Sequence, residues 1–171
     1  MYFFNALFTD LPEYQLDRLQ QVQNHAARVV LNATYEHRSV DLLKTPHWLP
    51  IRARVMFKVF MIVFHVHQET SPSYIQSMFK RVQPKQYRLR SASTNQVQFE
   101  VPRNRTKMAD RSLAVVGSRW WNNLQLDLKT VNTENMFGKR LKPFLFQIFY
   151  DRKEASLIFC HFPYLAPMKV L

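Results

Sequence analysis

Glycine is nearly absent: only Gly117 and Gly138 occur in 171 residues. β-Sandwiches and barrels need a turn residue every few positions, so this scarcity argues against an all-β fold. Dinucleotide-binding and P-loop fingerprints need several glycines at fixed spacing and are excluded with it. Cysteine occurs once, as Cys160, which supports neither a disulfide framework nor a CxxC zinc site. Its plain reading is a small buried or incidental thiol. Acidic residues are scarce too. The six aspartates, at 10, 17, 41, 110, 127 and 151, include no adjacent pair, and no Tyr-x-Asp-Asp motif occurs. Phosphoryl transfer by two metals needs clustered carboxylates, so catalysis of that kind is not expected. HExxH is absent, and His65 and His67, two apart, fall on different faces of a helix. Cys160 and His161 are chain neighbours, a poor nucleophile–base pair because the base must approach from the side. No metal site, cofactor or small-molecule substrate is expected. Apolar runs are short: Val59 to Val66 is interrupted by His65, well below the ~18 residues of a membrane span. Met1 to Phe8 is apolar but lacks the basic region and cleavage site of a signal peptide.

Cations and aromatics are abundant instead. Lys and Arg number 24 against 12 Asp and Glu, a net charge of +12, and 47% of residues are apolar. The apolar content supports one domain with a core. The charge speaks to partners, and a polyanion is the natural one.

Apolar spacing predicts a mainly α fold, a small irregular helical bundle around a central long helix. A first helix is expected from about Pro12 to Leu31, capped by Asp10, with Leu16, Leu19, Gln23, Ala26, Ala27 and Val30 on one stripe. A short helix at Ser39 to Lys44 has Ser39 as cap. Pro50 opens the central helix, which runs to about Glu69, with Trp48, Val59, Ile62 and Val63 expected buried. A short helix follows from Ser71-Pro72 to about Phe79. A further helix starts near Asp110 with Leu113, Val116 and Trp120 inward, and breaks near Gly117. The last runs from about Thr133 to Tyr150, with Met136, Phe137, Leu141, Phe144, Leu145 and Ile148 on its apolar face and Pro143 expected to kink it or end one hydrogen-bonded turn there. Residues 1–10 are expected to fray, 11–150 to form the helical domain, and 151–171 carry no assignment.

Between residues 80 and 107 there are eight cations and one acid, Glu100. Within this stretch Asn95 to Val101 alternates polar and apolar, as a strand or extended arm does. Residues 81–106 therefore read as a long basic connection, a loop or hairpin. The candidate nucleic-acid contacts are Lys80, Arg81, Lys85, Tyr87, Arg88, Arg90, Arg103, Arg105 and Lys107. Arginine's planar fork suits phosphate, and a neighbouring aromatic can stack on an unpaired base. A solvated loop without partner is the plainer reading. Trp120 and Trp121 could stack on bases as well, but their place after an amphipathic helix favours core anchors.

One group of motifs resembles a known family. Leu19-Gln20-x-x-Gln23-Asn24-x-Ala26-Ala27-Arg28 is followed by His47-Trp48-Leu49-Pro50, Arg54-Val55-x-Phe57-Lys58, Ser71-Pro72-x-Tyr74-Ile75, Leu89-Arg90-Ser91, Asp110-Arg111, Trp121-Asn122 and Leu141-Lys142-x-x-Leu145-Phe146. Their order across residues 11–149 resembles the region downstream of the polymerase core in LINE-type, non-LTR retrotransposon reverse transcriptases of the jockey-like branch. Pro46, Gly117-Ser118, Gln125 and Pro143 depart from that pattern. The resemblance implies an RNA-directed DNA polymerase as parent, with the polymerase core and endonuclease lying outside this sequence. It implies RNA or an RNA–DNA duplex as partner, held by its phosphates, the reverse transcriptase core as a protein partner, no membrane, and a nuclear or cytoplasmic location. Two alternatives stay open: a structural segment that packs on the polymerase, and a non-functional translated relic.

Overall fold

The computed structural model describes residues 11–34, 36–82 and 97–150, with Lys107 described by its backbone alone. Asp10, the expected fraying at 1–10, most of the basic connection and the tail from 151 lie outside the described residues. Among the described residues the chain is mainly helical. The helices are α1 (Glu13–Leu31), α2 (Ser39–Lys44), α3 (Ile51–His67), α4 (Ser73–Gln76), α5 (Lys107–Asp110), α6 (Leu113–Asn123), α7 (Leu126–Lys129) and α8 (Glu134–Tyr150). No strand forms among them; a single antiparallel bridge joins Arg81 to Phe99. The described residues fall into two compact units, those within 11–57 together with 139–150, and those within 58–138. The central helix α3 buries Ala53, Val55 and Met56 in the first and Val59, Phe60, Val63, Phe64 and Val66 in the second. Trp48 and Ile62, expected inside, are half-buried.

In the first unit Ala27, Leu42 and Leu43 form a core cluster, with Leu31, Ala33, Trp48 and Tyr150 against it. The inward face of α1 matches the expected stripe only in part. Gln23 and Ala27 are buried as expected and Leu16 is half-buried, but Gln20 is buried as well, whereas Leu19, Ala26 and Val30 of the stripe are exposed, as are Val22 and Val29. The reason is the start of α3. The first N–H groups of a helix have no partner within it. The Gln20 side-chain oxygen accepts the Ile51 N–H at 2.9 Å, and the Gln23 amide donates to the Leu49 carbonyl at 2.9 Å. Gln20 also donates to Gln23 and Asn24, so both amides are satisfied in the interior. Arg52 is buried beside them and pairs with Glu13 and Asp17 of α1. Helix α1 ends at Asn32 in the left-handed region (φ 48°), a residue that tolerates it. Ser39 does not cap α2. Arg38 precedes that helix, and the Ser39 hydroxyl instead accepts from the Arg28 guanidinium at 3.1 Å.

Aromatic rings fill the second unit. Phe64 stacks on Phe137 at 4.4 Å, and Trp121, fully buried, lies 6.1 Å from Phe137. The expected break at Gly117 is absent. Helix α6 runs straight through it, because Gly117 is where Phe79 and Val63 approach the helix backbone. A Cβ there would lie 3.0 Å from side-chain carbons of both residues. Asp110 ends the short α5, whose cap Thr106 accepts the Ala109 N–H, and Ser112 precedes α6. Pro143 does not end α8 either; it is solvent-exposed, so water can hydrate the carbonyl whose donor it removes.

Candidate nucleic-acid interface

The basic segment leaves and re-enters the second unit at one place. Val82 N–H donates to the Gln98 carbonyl at 2.9 Å, and Glu100 N–H donates to the Lys80 carbonyl at 2.7 Å. These bonds pair the outgoing and returning limbs antiparallel, as the base of a hairpin does. The period-two pattern at Asn95 to Val101 is realised where it is described: Phe99 is buried while Gln98 and Glu100 face solvent. An isolated two-stranded base is marginal in water. Here Trp121-Asn122 reinforces it. The Asn122 amide donates to the Phe99 carbonyl at 2.7 Å, and its oxygen accepts the Phe99 N–H at 2.9 Å. The side chain thus acts as a third strand one residue long. Trp121 Nε1 donates to the Val97 carbonyl at 3.3 Å, and the Phe99 ring meets Phe79 edge-on at 5.6 Å.

The candidate cations fare differently. Lys80, Arg103 and Arg105 are exposed. Arg81 is committed: its guanidinium pairs with Glu69 at 2.9 Å and donates to the His67 carbonyl at 3.0 Å, covering the C-terminal end of α3. Lys107 opens α5. Lys85, Tyr87, Arg88 and Arg90 lie outside the described residues. Trp120 and Trp121 are both buried, so they act as core anchors.

Charge alone did not reveal two further groups. Lys129 is buried and donates to the Asn122 carbonyl at 3.0 Å, tying α7 to the residue that clamps Phe99. Burial lowers its pKa. The His67 ring lies against Trp121, with centroids 5.3 Å apart and ring planes tilted by 38°. Burial, then the charges of Arg81 and Lys129, hold its pKa below the ordinary value. On α8, Lys139, Arg140 and Lys142 are exposed, as the helical spacing predicts.

Among the described residues no group of three or more His, Cys, Asp or Glu side chains could hold a metal. No described helix is long and apolar enough to cross a membrane. Comparison of the chain with protein-family models, curated proteins and solved structures gives no match.

Proposed function

We propose that this chain is a non-catalytic nucleic-acid-binding segment of a retrotransposon reverse transcriptase, holding RNA or an RNA–DNA duplex by its phosphates. One observation carries the reading. Residues 80–107 carry eight cations and one acid, and within them the stretch between Arg81 and Phe99, which holds Lys85, Arg88 and Arg90, is anchored at both ends by the Arg81–Phe99 bridge and the Asn122 clamp. Fixed ends reduce the entropy lost when a long loop is ordered on a partner. Phosphate contacts position a strand without reading its sequence, so base preference is slight. The family assignment rests on the motif order alone. The test is binding of a labelled single-stranded RNA, followed by fluorescence anisotropy, to the wild type and to the Arg88→Ala/Arg90→Ala double variant. The variant binds more weakly and keeps its helical content. Unchanged affinity contradicts the reading.

A second reading, a segment that packs on the polymerase core, is favoured by the exposed face of α1. Leu19, Val22 and Val29 recur there at helical spacing and are 37%, 66% and 81% exposed. Apolar side chains aligned along a helix in this way suit an apolar protein surface.

A further inference from the structure

In the first unit, the segment joining α2 to α3 and the end of α8 bring cations and aromatic rings together. His47 stacks on Phe146 with centroids 5.4 Å apart and ring planes 17° apart. Phe146 lies 4.5 Å from the ring of Tyr150. Lys44 Nζ sits 5.7 Å from the centre of the Tyr150 ring, and the Arg54 guanidinium 6.0 Å from that of Trp48. The Tyr150 hydroxyl donates to the Trp48 carbonyl at 2.8 Å, which fixes the two elements together. Among the described residues no carboxylate forms an ion pair with Lys44, His47 or Arg54.

His47 holds its place against the preference of its backbone. It sits at φ 54°, where glycine is favoured. Its N–H donates to the Lys44 carbonyl at 3.0 Å, and the Trp48 N–H to the Leu43 carbonyl at 2.9 Å. That pair of bonds is a Schellman closure of α2, which a glycine would make more cheaply. Residues kept in such a conformation concentrate at functional sites. One face of the imidazole rests on Phe146, and the residue as a whole is exposed to solvent.

We propose that this cluster is a stacking platform for an unpaired nucleic-acid base, with His47 beneath the base and Lys44 and Arg54 reaching the adjoining phosphates. The proposal rests on the nucleic-acid reading above and adds a preference for single strands. Every base offers a π-face, but only an unpaired base can leave its own stack to lie on a protein ring. Two stacked rings make a stiff floor for it, and flanking cations attract the backbone without reading sequence.

The test compares fluorescein-labelled oligouridine with an RNA duplex of equal length, bound by the full chain. His47→Gly removes the ring and suits the backbone; His47→Asn also tolerates the left-handed region and lacks an aromatic face. Both variants should bind oligouridine about tenfold more weakly, within the range for loss of one stacking residue, and bind the duplex as the wild type does. Their thermal midpoints should stay close to that of the wild type. Oligouridine should also quench a fluorescence component that Trp48→Phe abolishes, since Trp120 and Trp121 are buried. Equal losses on both RNAs, or no loss on oligouridine, overturn the platform and leave the wider reading standing. If the wild type binds neither RNA, both readings fall.

Discussion

Replacing Asn122 with Ala removes both hydrogen bonds to the Phe99 backbone, at 2.7 and 2.9 Å. Phe99 is 1% exposed, so its freed groups find little water. Each bond is worth about 1 kcal/mol net, and each buried group left unpaired costs about 1–3 kcal/mol, so these overlapping terms place the loss at roughly 2–4 kcal/mol. For a chain of this size that lowers the thermal midpoint by roughly 5–15 °C. Urea unfolding followed by circular dichroism should show a lower midpoint at unchanged slope, since the surface exposed on unfolding does not change. Amide exchange at Phe99 should accelerate. Asn122→Asp sharpens the test. Its carboxylate still accepts the Phe99 N–H but faces the Phe99 carbonyl with a lone pair. At neutral pH it should destabilise as much as Ala, and it should recover as acid protonates the new carboxyl and restores a donor. A loss under about 0.5 kcal/mol for Asn122→Ala, within the noise of ordinary surface changes, would refute the clamp.

Gly117→Ala gains up to about 1 kcal/mol of helix propensity. Against that it crowds Phe79 and Val63 at 3.0 Å, and overpacking costs typically ~1–3 kcal/mol. Phe79 is pinned by Phe99, so the sign should be destabilising, with Gly117→Val much worse; urea midpoints decide it. His67 has a folded-state pKa below its ordinary 6.5, so the unfolded chain takes up a proton that the folded chain refuses. Stability should therefore fall as pH drops from about 6.5 towards the folded-state pKa, and His67→Phe should lessen that fall when unfolding is compared at neutral and mildly acidic pH. Finally, the chain should extend no primer on any template with Mg2+ or Mn2+, because no two aspartates adjoin. Nucleotide incorporation above a mock-purified control contradicts that.

The helices were legible because apolar residues recur at helical spacing: Phe137, Leu141, Leu145 and Ile148 of α8 are all buried. Helix α1 misleads for a physical reason. Its apolar residues mark one face, but the inward face is chosen by the hydrogen bonds that the start of α3 requires. Gln20 therefore joins the expected Gln23 in the interior, while Leu19 and Val30 stay outside. A buried Arg52, paired through its guanidinium with Glu13 and Asp17 of the distant α1, leaves no local pattern. Gly117 shows the same limit. A glycine within an amphipathic run reads as a break until the ring that needs its space is known. The basic segment stands out in the sequence by composition alone, whereas its anchorage does not, because Phe99 and Asn122 lie 23 positions apart.

The most direct test of the central claim is the salt dependence of single-stranded RNA binding. If about four phosphates are contacted, affinity against salt on logarithmic axes should have a slope near −3, at roughly −0.7 per neutralised phosphate. Replacing the exposed Arg103 and Arg105 with Ala should flatten that slope by about one to two units and leave the unfolding midpoint unchanged. A slope near zero in the wild type, or one that the double variant leaves unaltered, would contradict the account.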